Sequence, residues 1–158
     1  MANAAPLTPE CVRTSVFTDD IADPEGTTDE AVRADYEATL AGVVEAEGVD
    51  AVAADSGVDP EVLDALAAGE SPELTVEEAA GILAASDDYP AAEDLLFEVR
   101  DHLMLQMSSA VMDVEALASG LDDDYDAKEL QQMLEGRQPM TLAEYARVHR
   151  YVAAENPY

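Results

Sequence analysis

Two stretches of this chain carry nearly the same pattern, and they decide the fold. Residues 49–83 read VDAVAADSGVDPEVLDALAAGESPELTVEEAAGIL, and residues 112–148 read MDVEALASGLDDDYDAKELQQMLEGRQPMTLAEYARV. Self-similarity of this length indicates a structural unit that occurs twice. The matched positions are Ser56-Gly57 with Ser119-Gly120, Gly69 with Gly136, Pro72 with Pro139, and Thr75 with Thr141. We therefore predict two related halves.

Caps, glycines and apolar spacing predict a succession of helices with short breaks. A long helix opens at Thr28 or Asp29 and ends at Gly48, and Pro90 begins a second long helix that ends near residue 110. Three shorter helices follow each long one, at about 49–55, 60–69 and from 75, and then at about 113–119, 126–135 and 141–154. No stretch has the alternation of a strand. The sequence therefore predicts an all-α fold in which two related multi-helix repeats pack around long helices.

The predicted domain organisation has three parts. Residues 1–27 contain several prolines among scattered acids, which predicts a partly irregular N-terminal arm with a short helix at about 8–14. Residues 28–86 form the first helical repeat, and residues 87–158 form the second.

The repeated unit resembles a known family. The order of Gly57, Asp59-Pro60, Gly69, Pro72 and the Thr75-capped helix resembles the phage-repressor type of helix-turn-helix domain. In such a domain a glycine allows the tight turn and a cap starts the second helix. The resemblance implies helix-turn-helix ancestry for both halves. Taken whole, the chain also resembles a family of acidic, uncharacterised proteins of halophilic archaea, which implies no known activity.

The chain is strongly acidic. It has 36 Asp and Glu against 7 Lys and Arg, a net charge of −29 over 158 residues, and its one lysine is Lys128. Disorder through self-repulsion is disfavoured, because 48% of the residues are hydrophobic and they recur at helical spacing. The acids are dispersed over the outer helix faces rather than gathered into the blocks of an acidic mimic. We interpret the charge as adaptation to a salt-rich solvent, which screens the repulsion.

Nothing in the sequence indicates a membrane protein or an exported one. No apolar run approaches the roughly 20 residues of a spanning helix. The start MANAAPLTPE lacks the basic and apolar regions of a signal peptide. The single cysteine, Cys11, cannot form an internal disulfide. These observations predict a cytoplasmic protein.

The second half carries the side chains that could contact DNA. Lys128, Gln131, Gln132 and Arg137 lie on or just after the helix that corresponds to a recognition helix. Glutamine can pair with adenine through two hydrogen bonds, and cations neutralise phosphates. The corresponding helix of the first half offers carboxylates, and no Lys or Arg occurs between residues 34 and 99. The alternative is that these side chains are ordinary surface residues and that the arginines pair with nearby acids.

A methionine-rich cluster lies on and after the second long helix. Leu103 and Met107 share one helix face, whereas Met104 points elsewhere and Met112 follows the helix. One interpretation is a core helix that is buried on most sides, between the two halves. The other is that Leu103, Met104, Met107 and Met112 form a dimer interface or a partner groove, where methionine adapts well.

The remaining candidate sites lack essential parts. Asp122, Asp124 and Asp126 have the spacing of a calcium loop, but Ala127 and Met133 stand where that loop needs glycine and glutamate. The histidines and the cysteine lack partners at metal-ligand or catalytic spacing. The sequence therefore predicts no metal, no cofactor and no enzyme.

Two functions of different classes follow. The first is a non-enzymatic protein-interaction or adaptor module, whose partner is another protein or a second copy of the chain in a homodimer. The alternative is a DNA-binding transcriptional regulator that uses the second helix-turn-helix repeat.

Overall fold

A computed structural model describes Phe17, Ile21 and residues 23–156. These residues form eight helices, α1 (Asp29–Glu47), α2 (Val49–Ser56), α3 (Pro60–Ala67), α4 (Val76–Ala84), α5 (Ala92–Ser109), α6 (Val114–Gly120), α7 (Ala127–Leu134) and α8 (Leu142–Glu155). The all-α prediction is confirmed for this part of the chain. The short helix predicted at about 8–14 and the prediction for Cys11 lie outside the described residues.

Local capping chemistry sets most of the helix ends. The Asp59 carboxylate accepts a hydrogen bond from the Glu61 amide at 2.9 Å, with Pro60 in the first turn of α3. Gly57 ends α2 with a φ of +76°, a left-handed conformation that glycine adopts without a Cβ clash. At α5 the prediction was two residues early, because Ala91 rather than Pro90 directly precedes the helix.

Two capping boxes hold the starts of α4 and α8. The Thr75 hydroxyl accepts from the Glu78 amide, and the Glu78 carboxylate accepts from the Thr75 amide. Thr141 and Glu144 make the same two bonds at the start of α8. Each box satisfies amide groups that the first helical turn leaves without intrahelical partners.

We expect Thr141→Ala to lower the free energy of unfolding by about 1 kcal/mol, because it removes the acceptor for the Glu144 amide. Chemical denaturation monitored by circular dichroism measures the change. Thr39→Ala is the matched control, since the Thr39 hydroxyl bonds within α1 to the Asp35 carbonyl and caps no helix. An equal loss of stability in both variants would contradict the assignment of a cap.

The segments that precede α4 and α8 pair with each other. Thr75 and Thr141 form an isolated antiparallel bridge. The Val76 amide donates to the Met140 carbonyl at 2.7 Å, and the Leu142 amide donates to the Leu74 carbonyl at 2.9 Å. Corresponding positions of the two quoted stretches therefore meet at the centre of the molecule.

The helices of the two halves interlock around one core. α1 packs against α8 as well as α3, and α5 packs against α4 as well as α8. The buried side chains form a single cluster with members in every helix. The predicted boundary between residues 86 and 87 therefore divides the sequence but not the core.

An aromatic cluster joins α1 to α8. The Tyr36 hydroxyl and Nδ1 of His149 are hydrogen-bonded at 2.5 Å, and the Tyr145 hydroxyl donates to the Phe17 carbonyl at 2.6 Å. The ring of Phe17 lies 4.8 Å from that of Tyr36 and 5.8 Å from that of Tyr145. Burial raises the pKa of both tyrosine hydroxyls above the ordinary value.

Candidate functional site

The outer face of α5 is exposed and apolar. Phe97, Met104 and Leu105 on α5, and Val111 just after it, are the most exposed large hydrophobic side chains in the described part of the chain, with 69%, 50%, 58% and 92% of their surfaces accessible. Residues 97, 104 and 105 lie seven and eight positions apart, which places them on one side of the helix. We call Phe97, Met104, Leu105 and Val111 the α5 strip. A contiguous apolar surface of this kind commonly marks an interaction site.

The opposite face of α5 belongs to the core. Leu95, Val99, Leu103 and Met107 are all buried. Of the four predicted interface residues, the structure thus places Leu103 and Met107 in the core, Met112 half-buried against it, and Met104 on the α5 strip. It does not bring the four residues to one surface.

A cleft opens beside the strip, between α5, α7 and the start of α4. Its lining is apolar except at Glu77 and Arg100, and it includes Val76, Leu96, Val99 and Met133. The Arg100 guanidinium reaches Oε2 of Glu77 at 3.4 Å. Oε1 of Glu77 is buried and has no hydrogen-bond partner among the described residues. A buried acceptor without a donor is costly, so this oxygen is suited to receive one from a ligand.

Arg100 also crosses from α5 to the end of α7. A Cβ added at Gly136 would lie 2.5 Å from the central guanidinium carbon of Arg100, and Gly136 has a φ of +79°. Glycine therefore serves two purposes here. It accepts the left-handed backbone conformation and leaves room for the arginine at the rim of the cleft.

The candidate DNA-contacting residues lie on the outer side of α7. Lys128, Gln131 and Arg137 are exposed, and Gln132 is half-buried. Glu135 binds two of them, since its carboxylate accepts from the Gln131 amide at 3.0 Å and lies 3.3 Å from the Arg137 guanidinium. The face is therefore mixed in charge.

Most of the other arginines are engaged in internal ion pairs. Arg147 lies 2.8 Å from Asp124 and 3.8 Å from Asp122, and it donates to the Leu121 carbonyl at 2.7 Å. The acids that resemble a calcium loop are therefore paired with an arginine. Arg150 pairs with Asp29 at 2.6 Å. Of the cations that the structure describes, Lys128 alone has no carboxylate within 4.0 Å.

Two further surveys bear on the kind of site present. Within residues 23–156, no group of three or more His, Cys, Asp or Glu side chains is placed to hold a metal ion. The same residues include no helix that is both long and apolar enough to cross a membrane.

Comparison with known proteins places the chain in a family. A protein family of unknown function, DUF5791, matches residues 32–155. The chain belongs to this family. The DUF5791 match includes all of α5, the cleft and the pairing of Thr75 with Thr141, so these features lie within the family's own domain. No curated protein and no solved structure matches the chain.

Sequence reasoning missed several residues of this site. It did not single out Phe97 or Glu77, and it left Leu105 and Val111 out of the predicted interface. One signal was available, because Phe97 is one of only two phenylalanines and lies seven residues before Met104. The unpartnered oxygen of Glu77 had no such signal, since it depends on how α4 packs against α5.

Proposed function

We propose that this protein is a non-enzymatic protein-interaction module that binds its partner through the α5 strip. The observation that carries the proposal is that the four most exposed large hydrophobic side chains described all fall between residues 97 and 111. Scattered single exposures are ordinary on protein surfaces, whereas a clustered set on one helix is typical of a docking surface.

Comparison of α1 with α5 supports the proposal. We infer that the two halves descend from one duplicated helix-turn-helix unit, because Arg33 and Arg100, like Pro72 and Pro139, are 67 residues apart. At that same separation, exposed Glu30 corresponds to Phe97 and exposed Ala38 to Leu105. The outer face of α1 is thus polar or small where that of α5 is apolar, so the strip belongs to the second half only.

The acidic surface does not account for the strip. We propose that the protein works in the salt-rich cytoplasm of a halophilic archaeon, where dispersed carboxylates serve solubility. Large apolar side chains on the surface work against that adaptation. Their presence on α5 therefore supports a role in binding.

DNA binding by α7 is the second candidate function. It is favoured by the exposure of Lys128 and Gln131 and by the absence of a carboxylate near Lys128 among the described ion pairs. It ranks below protein binding because Glu135 holds Gln131 and Arg137, and because few cations remain to neutralise phosphates.

Affinity capture from a high-salt cell lysate, with and without nuclease, tests both functions. We expect the wild-type protein to retain a nuclease-resistant protein partner, and the F97E/M104E variant to lose it. The matched variant K128A/Q131A/R137A changes α7 instead and should retain the partner. Nuclease-sensitive capture that fails only in the α7 variant would favour DNA binding. Equal capture by the wild type and F97E/M104E would overturn the proposed role of the α5 strip.

A further inference from the structure

We propose that the partner segment on the α5 strip is a basic amphipathic helix, and that one of its cationic side chains bonds to Oε1 of Glu77 in the adjoining cleft. This inference rests on the proposed function above and adds the chemistry of the partner. Two independent features support it, which are the charge around the strip and the unpartnered carboxylate oxygen.

Exposed carboxylates surround the strip. Glu93, Asp94, Glu98 and Asp101 on α5 are all exposed, and the chain as a whole carries a charge of −29. An apolar face bordered by acids complements a helix with apolar anchors and basic flanks. A second copy of this chain would instead set these carboxylates against identical ones, so like-charge repulsion disfavours self-association.

The cleft lacks a contact network that exists in the first half. On α1, the Arg33 Nε donates to Glu37 at 2.9 Å, and its Nη2 donates to the carbonyls of Ser71 and Pro72. The Ser71 hydroxyl donates to the other oxygen of Glu37 at 2.8 Å, so both carboxylate oxygens are satisfied.

At the corresponding place on α5 the network is open. Met104 lies 67 residues after Glu37, and Arg100 has its one described carboxylate contact with Glu77, at 3.4 Å. Oε1 of Glu77 then has no donor. A lysine or arginine from the partner would supply one, and Glu77 would bridge that cation and Arg100. Such charge-assisted bonds are stronger than neutral ones.

The dimensions of the strip fit a helix. Residues 97–111 cover 14 steps, which at about 1.5 Å per residue makes the strip about 21 Å long. A partner helix of roughly four turns matches this length, with apolar anchors at the i, i+3, i+4 and i+7 positions of its inner face.

Binding of designed peptides to the whole chain in molar KCl tests the inference. The probe is a helical peptide with a leucine face and lysine flanks, and its controls replace the lysines by glutamates or the leucines by serines. At about 1 M salt the screening length is about 3 Å, so diffuse attraction to the acidic surface is suppressed. We expect saturable binding of the basic peptide at one site, and at least tenfold weaker binding of either control.

Protein variants then locate the site. F97E/M104E makes the chain more acidic, so non-specific attraction would rise, but we expect at least tenfold weaker binding. Glu77→Gln should weaken binding about tenfold, whereas Arg100→Gln, which removes the same ion pair but keeps the carboxylate, should not weaken it. Ala38→Glu adds charge on α1 and should leave the Kd unchanged.

Unchanged affinity in F97E/M104E or in Glu77→Gln, or equal binding of the basic and acidic peptides, would overturn the inference. Partner capture from lysate that depends on the strip, together with failure of the basic peptide, would leave the proposed function standing and overturn only the basic partner. Loss of both would overturn the two together.

Discussion

Raising the pH from about 10 to about 12 should unfold this protein, and two buried tyrosines should account for most of the loss of stability. Burial raises the pKa of Tyr145, and burial followed by nearby negative groups raises that of Tyr36. In the unfolded chain both hydroxyls ionise near pH 10, whereas in the folded protein they stay protonated.

The sign of the effect follows from proton binding. Above pH 10 the folded state holds more protons than the unfolded state, so stability is present below that pH and falls as the pH rises. Each tyrosine contributes a loss approaching 1.4 kcal/mol per pH unit, and together they contribute about 4–5 kcal/mol between pH 10 and 12. This is comparable with the whole stability of a small domain.

Denaturant unfolding at a series of pH values measures the slope. Tyr36→Phe and Tyr145→Phe should each reduce the steepness of the alkaline decline, while Tyr89→Phe, which removes a hydroxyl outside the aromatic cluster, should not. The phenylalanine variants also lose the bonds to His149 and Phe17, so they start from a lower stability at neutral pH. Parallel pH profiles in all three variants would contradict the assignment.

Separating the two halves should abolish folding of each. A fragment of residues 1–86 would expose the face of α1 that packs against α8 and the face of α4 that packs against α5. A fragment of residues 87–158 would expose the complementary faces and lose the bonds from Leu74 and Val76. Since small units already bury too little surface to be robust, we expect neither to reach a stable native state.

Circular dichroism and thermal melts of the separate and mixed fragments provide the measurement. Each fragment alone should show no cooperative transition, and an equimolar mixture should regain helix and a cooperative melt. A cooperative transition in the isolated fragment of residues 1–86 would show that the interlocked packing is not required.

Local chemistry made the helices predictable. Caps such as Asp59 and Thr75, and glycines such as Gly57, act within a few residues, so the sequence alone locates the ends of α2, α3 and α4 closely. The start of α5 was placed two residues early because Ala91, which has no capping side chain, precedes it. These features depend on neighbours in the chain and not on the tertiary fold.

Tertiary contacts were beyond the sequence pattern. The spacing of Leu103 and Met107 shows that they share a face, but it does not say whether the core or a partner covers that face. The pairing of Thr75 with Thr141 joins residues 66 positions apart and leaves no local signal. The exposure of Phe97 likewise depends on which side of α5 meets α4 and α8.

The most direct test of the account is photo-crosslinking in the source cells. A photoreactive amino acid at Met104 should form a protein adduct, because this position lies at the middle of the α5 strip. The same probe at Ala38, exposed on α1 and 67 residues before Leu105, should not form that adduct. Identical adducts from both positions, or an adduct from Ala38 alone, would contradict the claim that the outer face of α5 is where this protein binds its partner.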